Sequence, residues 1–264
     1  MPLDANRRKE VFRLVPEGAL VTRTWLQSRD LSGHAIDNLI KSKQLTSVKK
    51  GVYKREGSSV AWGDIVYFLQ RSQATDLTIG GITALELQKL SHYLSFSEKR
   101  IVHLYGQDPL PSWIKGVEGD ATFQKSNVSD LLGQAVDPVL VQQLNQFTKT
   151  FDWKETHNGL RISTPERAIL EVLNEIPAKI SFEHAEQLMQ GLNTLSPRGL
   201  QQLLELCNNF KVRRLFFWYA ERQNHPWLAK IDSSRINLGS GNRVIAKGGH
   251  LNKKYNITVP DRYE

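Results

Sequence analysis

Residues 32–42 have the pattern of a helix with one polar and one apolar side. The polar side carries groups that donate or accept hydrogen bonds: His34, Asp37, Asn38 and Lys41. The opposite side is apolar and carries Ala35, Ile36, Leu39 and Ile40. An asparagine amide can pair with adenine and a lysine can bond to guanine or phosphate, so the polar side could read base edges in DNA. A face that is merely solvated has the same pattern, so the neighbouring elements must decide.

A basic turn follows this helix. Residues 45–48 and 52–55 are predicted strands, and they enclose Lys49, Lys50 and Gly51. Gly51 can adopt the positive φ angle that a tight turn needs. Two lysines at the tip of a hairpin are suited to gripping phosphates, which is what the wing of a winged helix does.

Two further helices are predicted before the polar one. The first covers residues 6–15, Thr22 can cap the second, and Ser32 can cap the third. The link between the second and third helices, roughly residues 29–31, has the length typical of a helix-turn-helix. With the basic turn, these helices predict a winged helix-turn-helix over residues 1–56.

The predicted DNA contacts follow from this arrangement. They lie at the start of the first helix, around the second and third helices, and on the wing: Arg7, Arg8, Thr22, Arg23, Ser32, His34, Asn38, Lys41, Lys43, Lys49, Lys50 and Tyr53. A second basic surface is predicted in the tail of the chain, from Arg243, Lys247, Lys253 and Lys254.

Charge is distributed in blocks along the 264 residues. Residues 1–55 hold 12 Lys+Arg against 5 Asp+Glu, and residues 197–264 hold the same numbers. The middle block, residues 56–196, holds 11 against 17. The blocks predict an anionic partner at the two ends of the chain, with nucleic acid the first candidate. The alternative is that the basic residues only keep the surface soluble.

Composition bounds the class of protein. The one cysteine, Cys207, excludes a disulfide framework and a thiolate zinc site, and it fits a reducing cytoplasm. The longest apolar stretches, such as residues 215–220, fall far short of the roughly 20 residues that span a bilayer. We therefore expect a cytoplasmic protein with no membrane partner.

The rest of the chain is predicted to be mixed. Helices are expected over residues 61–71, 83–90, 164–176, 181–191 and 196–209, and strands over 100–105, 121–125 and 159–163. The tail, residues 236–260, is predicted to form strand, turn and strand. The fold class is therefore α+β, a winged helix-turn-helix followed by a larger mixed α/β domain. The DNA-binding domain is expected to cover residues 1–94, with connecting helices over 61–90, and the second domain residues 95–264.

Motifs for catalysis are hard to find. The chain has no His-Glu-x-x-His helix and no Gly-x-Ser-x-Gly turn. Its seven histidines are scattered without metal-ligand spacing, and Cys207 lies on the apolar stripe of its helix, which favours an inert thiol. We therefore predict no catalytic residue, no metal and no cofactor. Asp152 and Lys154 are the one pair that could imitate a metal-dependent nuclease.

Several segments of the chain resemble a known family. The segment Gly18-Ala-Leu-Val-Thr-Arg-Thr-Trp-Leu26, the helix that follows, and Lys49-Lys-Gly-Val-Tyr53 resemble the winged helix of AbiEi antitoxins, which belong to type IV toxin–antitoxin systems in abortive infection. Two later segments fit the same family: Gly81-Ile-Thr-Ala-Leu-Glu-Leu87 and Ser163-Thr-Pro-Glu-Arg-Ala-Ile-Leu170.

The resemblance implies a function. Such proteins are antitoxins without enzymatic activity that bind inverted repeats in double-stranded DNA at their own promoter and repress the operon. Their C-terminal domain counters a nucleotidyltransferase-like toxin without a stable complex. By position, the reading helix is Ser32–Ser42 and the wing is Lys49–Tyr53. The alternatives are a restriction-type nuclease with an N-terminal DNA-recognition domain, and a module whose basic ends bind an acidic protein.

Overall fold

The computed structural model describes residues 12–91, 99–117, 120–133, 137–154 and 159–263. Of the first predicted helix, residues 12–14 are helical and the remainder lies outside the described residues, as do Arg7 and Arg8. Helices and sheets are mixed along the chain, so the α+β fold class is confirmed.

The amino-terminal elements form a winged helix. In chain order they are β1 (Val21–Thr22), α1 (Arg23–Gln27), α2 (Gly33–Lys41), β2 (Leu45–Lys49) and β3 (Val52–Arg55). The three strands form an antiparallel sheet in the order β1-β3-β2. Leu26, Ile36 and Leu39 are fully buried between the helices and this sheet. The apolar side predicted for the third helix is therefore confirmed.

A five-stranded sheet lies at the centre of the protein. Its five strands are interspersed in the chain with helices. In order, these elements are α3 (Trp62–Arg71), β4 (Thr78–Ile79), α4 (Gly81–Leu87), β5 (Arg100–Tyr105), β6 (Ala121–Ser126), α5 (Ser129–Leu132), α6 (Pro138–Asn145), β7 (Thr148–Phe151) and β8 (Leu160–Ser163). The strand order is β6-β5-β4-β8-β7. The pairs β5–β6 and β4–β8 are parallel, and β4–β5 and β7–β8 are antiparallel.

The middle strand of this sheet comes from an unexpected part of the chain. Ile79 pairs with Leu104 on one side and with Ile162 on the other. The segment predicted to connect the two domains thus supplies backbone to the sheet of the carboxyl half. The division of the chain at residues 94 and 95 stays a prediction.

Helices cover one side of the carboxyl half. They are α7 (Pro165–Asn174), α8 (Phe182–Gln190), α9 (Pro197–Leu206) and α10 (Phe210–Arg222), and a hairpin of β9 (His250–Asn252) and β10 (Ile257–Val259) follows. One side of α7 is apolar and buried. A threonine at a helix start is expected to cap it, but the Thr164 hydroxyl, at the N-cap position of α7, makes no capping hydrogen bond. Pro165 at N1 supplies a preset φ angle and has no N–H to cap.

Candidate nucleic-acid interface

Two capping hydroxyls set the ends of the helix-turn-helix. The Thr22 Oγ1 atom accepts from the Trp25 N–H at 3.1 Å, and the Ser32 Oγ atom accepts from the Ala35 N–H at 3.2 Å. Both caps are confirmed, and both satisfy an N–H group that a helix start leaves unpaired. The connecting loop covers residues 28–32 and is slightly longer than predicted.

The polar side of α2 faces outward. His34 and Lys41 are exposed, Asn38 is half-buried, and Lys43 is exposed just beyond the helix end. The apolar residues on the opposite side hold this orientation by packing on α1 and the small sheet. A helix held in this way offers one row of side chains to a groove of DNA, which is how the second helix of a helix-turn-helix docks.

One predicted contact, Arg23, is engaged within the protein. Its Nη1 donates to Asp37 Oδ1 at 2.7 Å, and its Nη2 donates to Asp37 Oδ2 and to the Gly33 carbonyl, both at 3.1 Å. The hydrogen bonds from Arg23 lower the pKa of Asp37, and those to Asp37 raise the pKa of Arg23. The sequence reasoning placed Asp37 on the outer face but did not select it. An acidic residue on a basic face, with an arginine on the preceding helix, was the available signal.

The wing has the predicted basic tip. Lys49 and Lys50 are exposed, and Gly51 has a φ of +85° with open space around its Cα atom. A register shift between Ser47 and Lys49 bends β2 as it enters the turn. The tip therefore presents two exposed lysines in the turn of the hairpin that follows α2.

Tyr53 requires a correction. It was predicted to contact DNA, but its side chain is only 8% exposed and packs in the core beneath the wing. Its neighbour Val52 is buried in the adjoining core, so this end of β3 has both faces covered. Tyr53 is therefore a core residue of the winged helix.

A buried carboxylate joins α3 to the segment that follows β7. Asp64, on α3, is 1% exposed and accepts from the Ala61 N–H at 3.0 Å, from Trp153 Nε1 at 3.2 Å and from Lys154 Nζ at 2.8 Å. The Trp153 ring packs so closely on Gly63 that an added Cβ would lie 2.2 Å from it. Lys154 is therefore a structural partner of Asp64. Of the pair suspected of nuclease chemistry, Lys154 is thus engaged by Asp64, and Asp152 is exposed.

Other chemistry is sparse. Within the described residues, no group of three or more His, Cys, Asp or Glu side chains could hold a metal ion. Burial raises the pKa of the Cys207 thiol to about 11, which suits the inert role predicted for it. The aromatic run 216–219 is buried, so it packs in the core and does not stack on bases. None of the described helices has the length and apolar character to cross a membrane.

The second basic surface is weaker than its composition suggests. Lys254 forms an ion pair with Glu221 at 2.5 Å, and the Arg243 guanidinium lies 5.5 Å from the centre of the Phe210 ring. Lys247 and Lys253 are exposed. The role of this surface in binding stays a prediction.

Comparisons with known proteins agree with this geometry. A family model described as the AbiEi antitoxin, a transcriptional regulator of type IV toxin–antitoxin systems, matches residues 99–260. A model of the AbiEi antitoxin N-terminal domain matches residues 5–96. None of the curated proteins compared with the chain matches it. The crystal structure of the RV2827C protein from Mycobacterium tuberculosis has a TM-score of 0.58 at 16% identity, covering 95% of this chain and 89% of that chain, which shows a common fold.

Proposed function

We propose, since the chain belongs to the AbiEi antitoxin family of transcriptional regulators in type IV toxin–antitoxin systems, that it represses its own operon by binding inverted repeats in the promoter. The observation that carries this proposal is the outward polar face of α2, which is followed in the chain by an exposed, lysine-tipped wing. The helix would read bases in the major groove, and Lys49 and Lys50 would hold the flanking phosphates.

Salt dependence tests the wing. Affinity for the upstream DNA is measured over a range of salt for the unaltered protein and for Lys49→Ala/Lys50→Ala. Each phosphate contact contributes a slope of about −0.9 in a plot of log affinity against log salt, so the double variant should flatten the slope by about 2 per bound protomer for every sequence.

The matched control is Lys115→Ala/Lys149→Ala, which removes the same charge from exposed lysines outside the winged helix. It should leave the slope nearly unchanged. Equal loss in both variants would mean that net charge, and not the wing, sets the affinity. Equal binding of promoter and random DNA by the unaltered protein would contradict the repressor function.

Asn38 tests base reading. Its amide can bond bidentately to adenine, so Asn38→Ala should relax the preference at one position by about 1–3 kcal/mol while affinity for random DNA holds. A competition assay with single-position operator variants measures this change. A uniform loss for all sequences would instead mark Asn38 as a backbone contact.

We also propose that the carboxyl half counters a nucleotidyltransferase-like toxin without a stable complex. Family membership supports an antitoxin role. Co-expression should restore growth of cells that carry the neighbouring toxin, while the two proteins do not co-purify. Failure to restore growth contradicts this role, and stoichiometric co-purification contradicts the absence of a complex.

A further inference from the structure

The ion pair on the outer face of α2 is placed where DNA would bind. Asp37 is three residues after His34 and four before Lys41, so it shares their row on the helix. Its side chain is 47% exposed, and that of Arg23 is 38% exposed. A carboxylate in this row would repel phosphates unless its charge were offset, so the proposed function leaves its presence unexplained.

Arg23 is held by the protein on two sides. Its two terminal nitrogens bond to both oxygens of Asp37, and one of them also donates to the carbonyl of Gly33 at the start of α2. The packing there is close, since a Cβ added at Gly33 would lie 3.1 Å from Arg23 Nη2. Bidentate arginine–carboxylate pairs fix the orientation of both partners. Arg23 is therefore suited to positioning Asp37 and poorly suited to swinging towards a phosphate.

Asp37 keeps capacity to bind. A carboxylate has about four lone-pair sites, and Arg23 occupies one on each oxygen. The remaining sites accept hydrogen bonds only, and the donor that a carboxylate reads in the major groove is the N4 amino group of cytosine. Guanine and thymine edges offer acceptors there and would leave the carboxylate unpaired. Adenine carries a donor at N6, but its N7 acceptor lies beside that donor and would face the second carboxylate oxygen.

We infer, on the basis of the proposed function, that Asp37 selects a cytosine in each half-site and that Arg23 is the positioning residue that fixes its carboxylate and offsets its charge. This assignment changes the role of Arg23 from a predicted direct DNA contact to a support for base reading. It also adds Asp37 as a specificity-determining residue.

Selection of binding sites from a random DNA library tests the assignment. Asp37→Ala should lose one cytosine preference, roughly a tenfold to hundredfold effect at that position, and should bind random DNA more tightly because a negative charge is gone. Asp37→Asn, which keeps the shape, should move the preference towards adenine. Circular dichroism melts of each variant confirm that it is folded.

Arg23→Met separates positioning from phosphate binding. It should weaken the same cytosine preference and leave the salt slope unchanged, whereas loss of a phosphate contact would flatten the slope by about 1. Arg23→Lys should restore part of the preference, since it returns the charge without the bidentate geometry.

Two results would overturn the inference alone: an unchanged preference at every position in Asp37→Ala, or a flattened slope with full preference in Arg23→Met. Absence of any sequence preference in the unaltered protein would overturn the proposed function as well.

Discussion

Basic residues serve opposite purposes in the two ends of this protein. In the winged helix, Lys41, Lys49 and Lys50 are exposed to solvent. In the carboxyl half, Arg214 is 1% exposed and donates to the carbonyls of Leu238, Ser240, Gly241 and Asn256 at 2.6–3.2 Å. The first group is available to a ligand, whereas Arg214 holds its own chain together.

Two further arginines behave like Arg214. Arg213 is 6% exposed and bonds to the Leu204, Glu205 and Asn237 carbonyls. Arg167 is 1% exposed and donates to Glu171 at 2.7 Å. Arg213 and Arg214 belong to the carboxyl block of positive charge, residues 197–264, so that block is partly internal and a charge count along the sequence overstates its surface. Buried polar groups of this kind are retained because each one has a partner.

The largest effect is expected inside the carboxyl half. Arg214→Met would remove the side-chain donor from four carbonyls, of which only Asn256 keeps another donor within the described residues, the Arg243 N–H, and we expect the free energy of unfolding to fall by about 3–5 kcal/mol. Urea denaturation measures this change. Arg243→Met is the control, since its side chain is exposed and its removal should cost less than about 0.5 kcal/mol. Equal costs for the two variants would break the contrast between buried and exposed cations.

A half-buried histidine makes the stability of the carboxyl half depend on pH. Burial lowers the pKa of His103 from 6.5 to about 4, and its Nδ1 lies 3.0 Å from Thr83 Oγ1. Between pH 6.5 and 4 the unfolded chain therefore takes up a proton that the folded chain does not. Stability contributed by this site is complete above pH 6.5 and falls as the pH drops towards 4.

The histidine effect is measured against a variant. From pH 7 to pH 4.5, the free energy of unfolding should fall by about 2–3 kcal/mol more in the unaltered protein than in His103→Gln. Urea titrations at the two pH values provide the comparison. Parallel losses in both proteins would mean that His103 is protonated normally in the folded state.

The smallest effect is expected from the exposed lysines of the tail. Lys247→Ala/Lys253→Ala removes as much charge as the wing variant, but we expect the salt slope of DNA binding to change by less than about 0.5. The salt titration described for the wing variant measures this slope. A change near 2 would mean that the tail also contacts phosphates, and both ends of the chain would then bind DNA.

Local features of the fold were predictable. The caps at Thr22 and Ser32, the buried Leu39 and the turn at Gly51 depend on neighbours within a few residues, and all four are confirmed. The family resemblance, which depended on short segments, is also confirmed.

Features that depend on distant partners were missed. The strand β4 has two residues, which is too short to give a pattern. Tyr53 can be assigned to the core only when the elements that cover both faces of β3 are known. The pairing of Asp64 with Lys154 joins residues that nothing in the local sequence connects, and that of Arg23 with Asp37 joins two different helices. Among the candidate site residues, exposure was therefore easier to predict than engagement.

The central position of Thr78–Ile79 limits how this protein could exchange parts with its relatives. A recombination joint near residue 94 would give the hybrid a middle strand from one parent and both flanking strands from the other. A joint ahead of α3 would keep each set of strands intact. Relatives that have exchanged their amino-terminal domains by recombination are therefore expected to have the joint near residue 60.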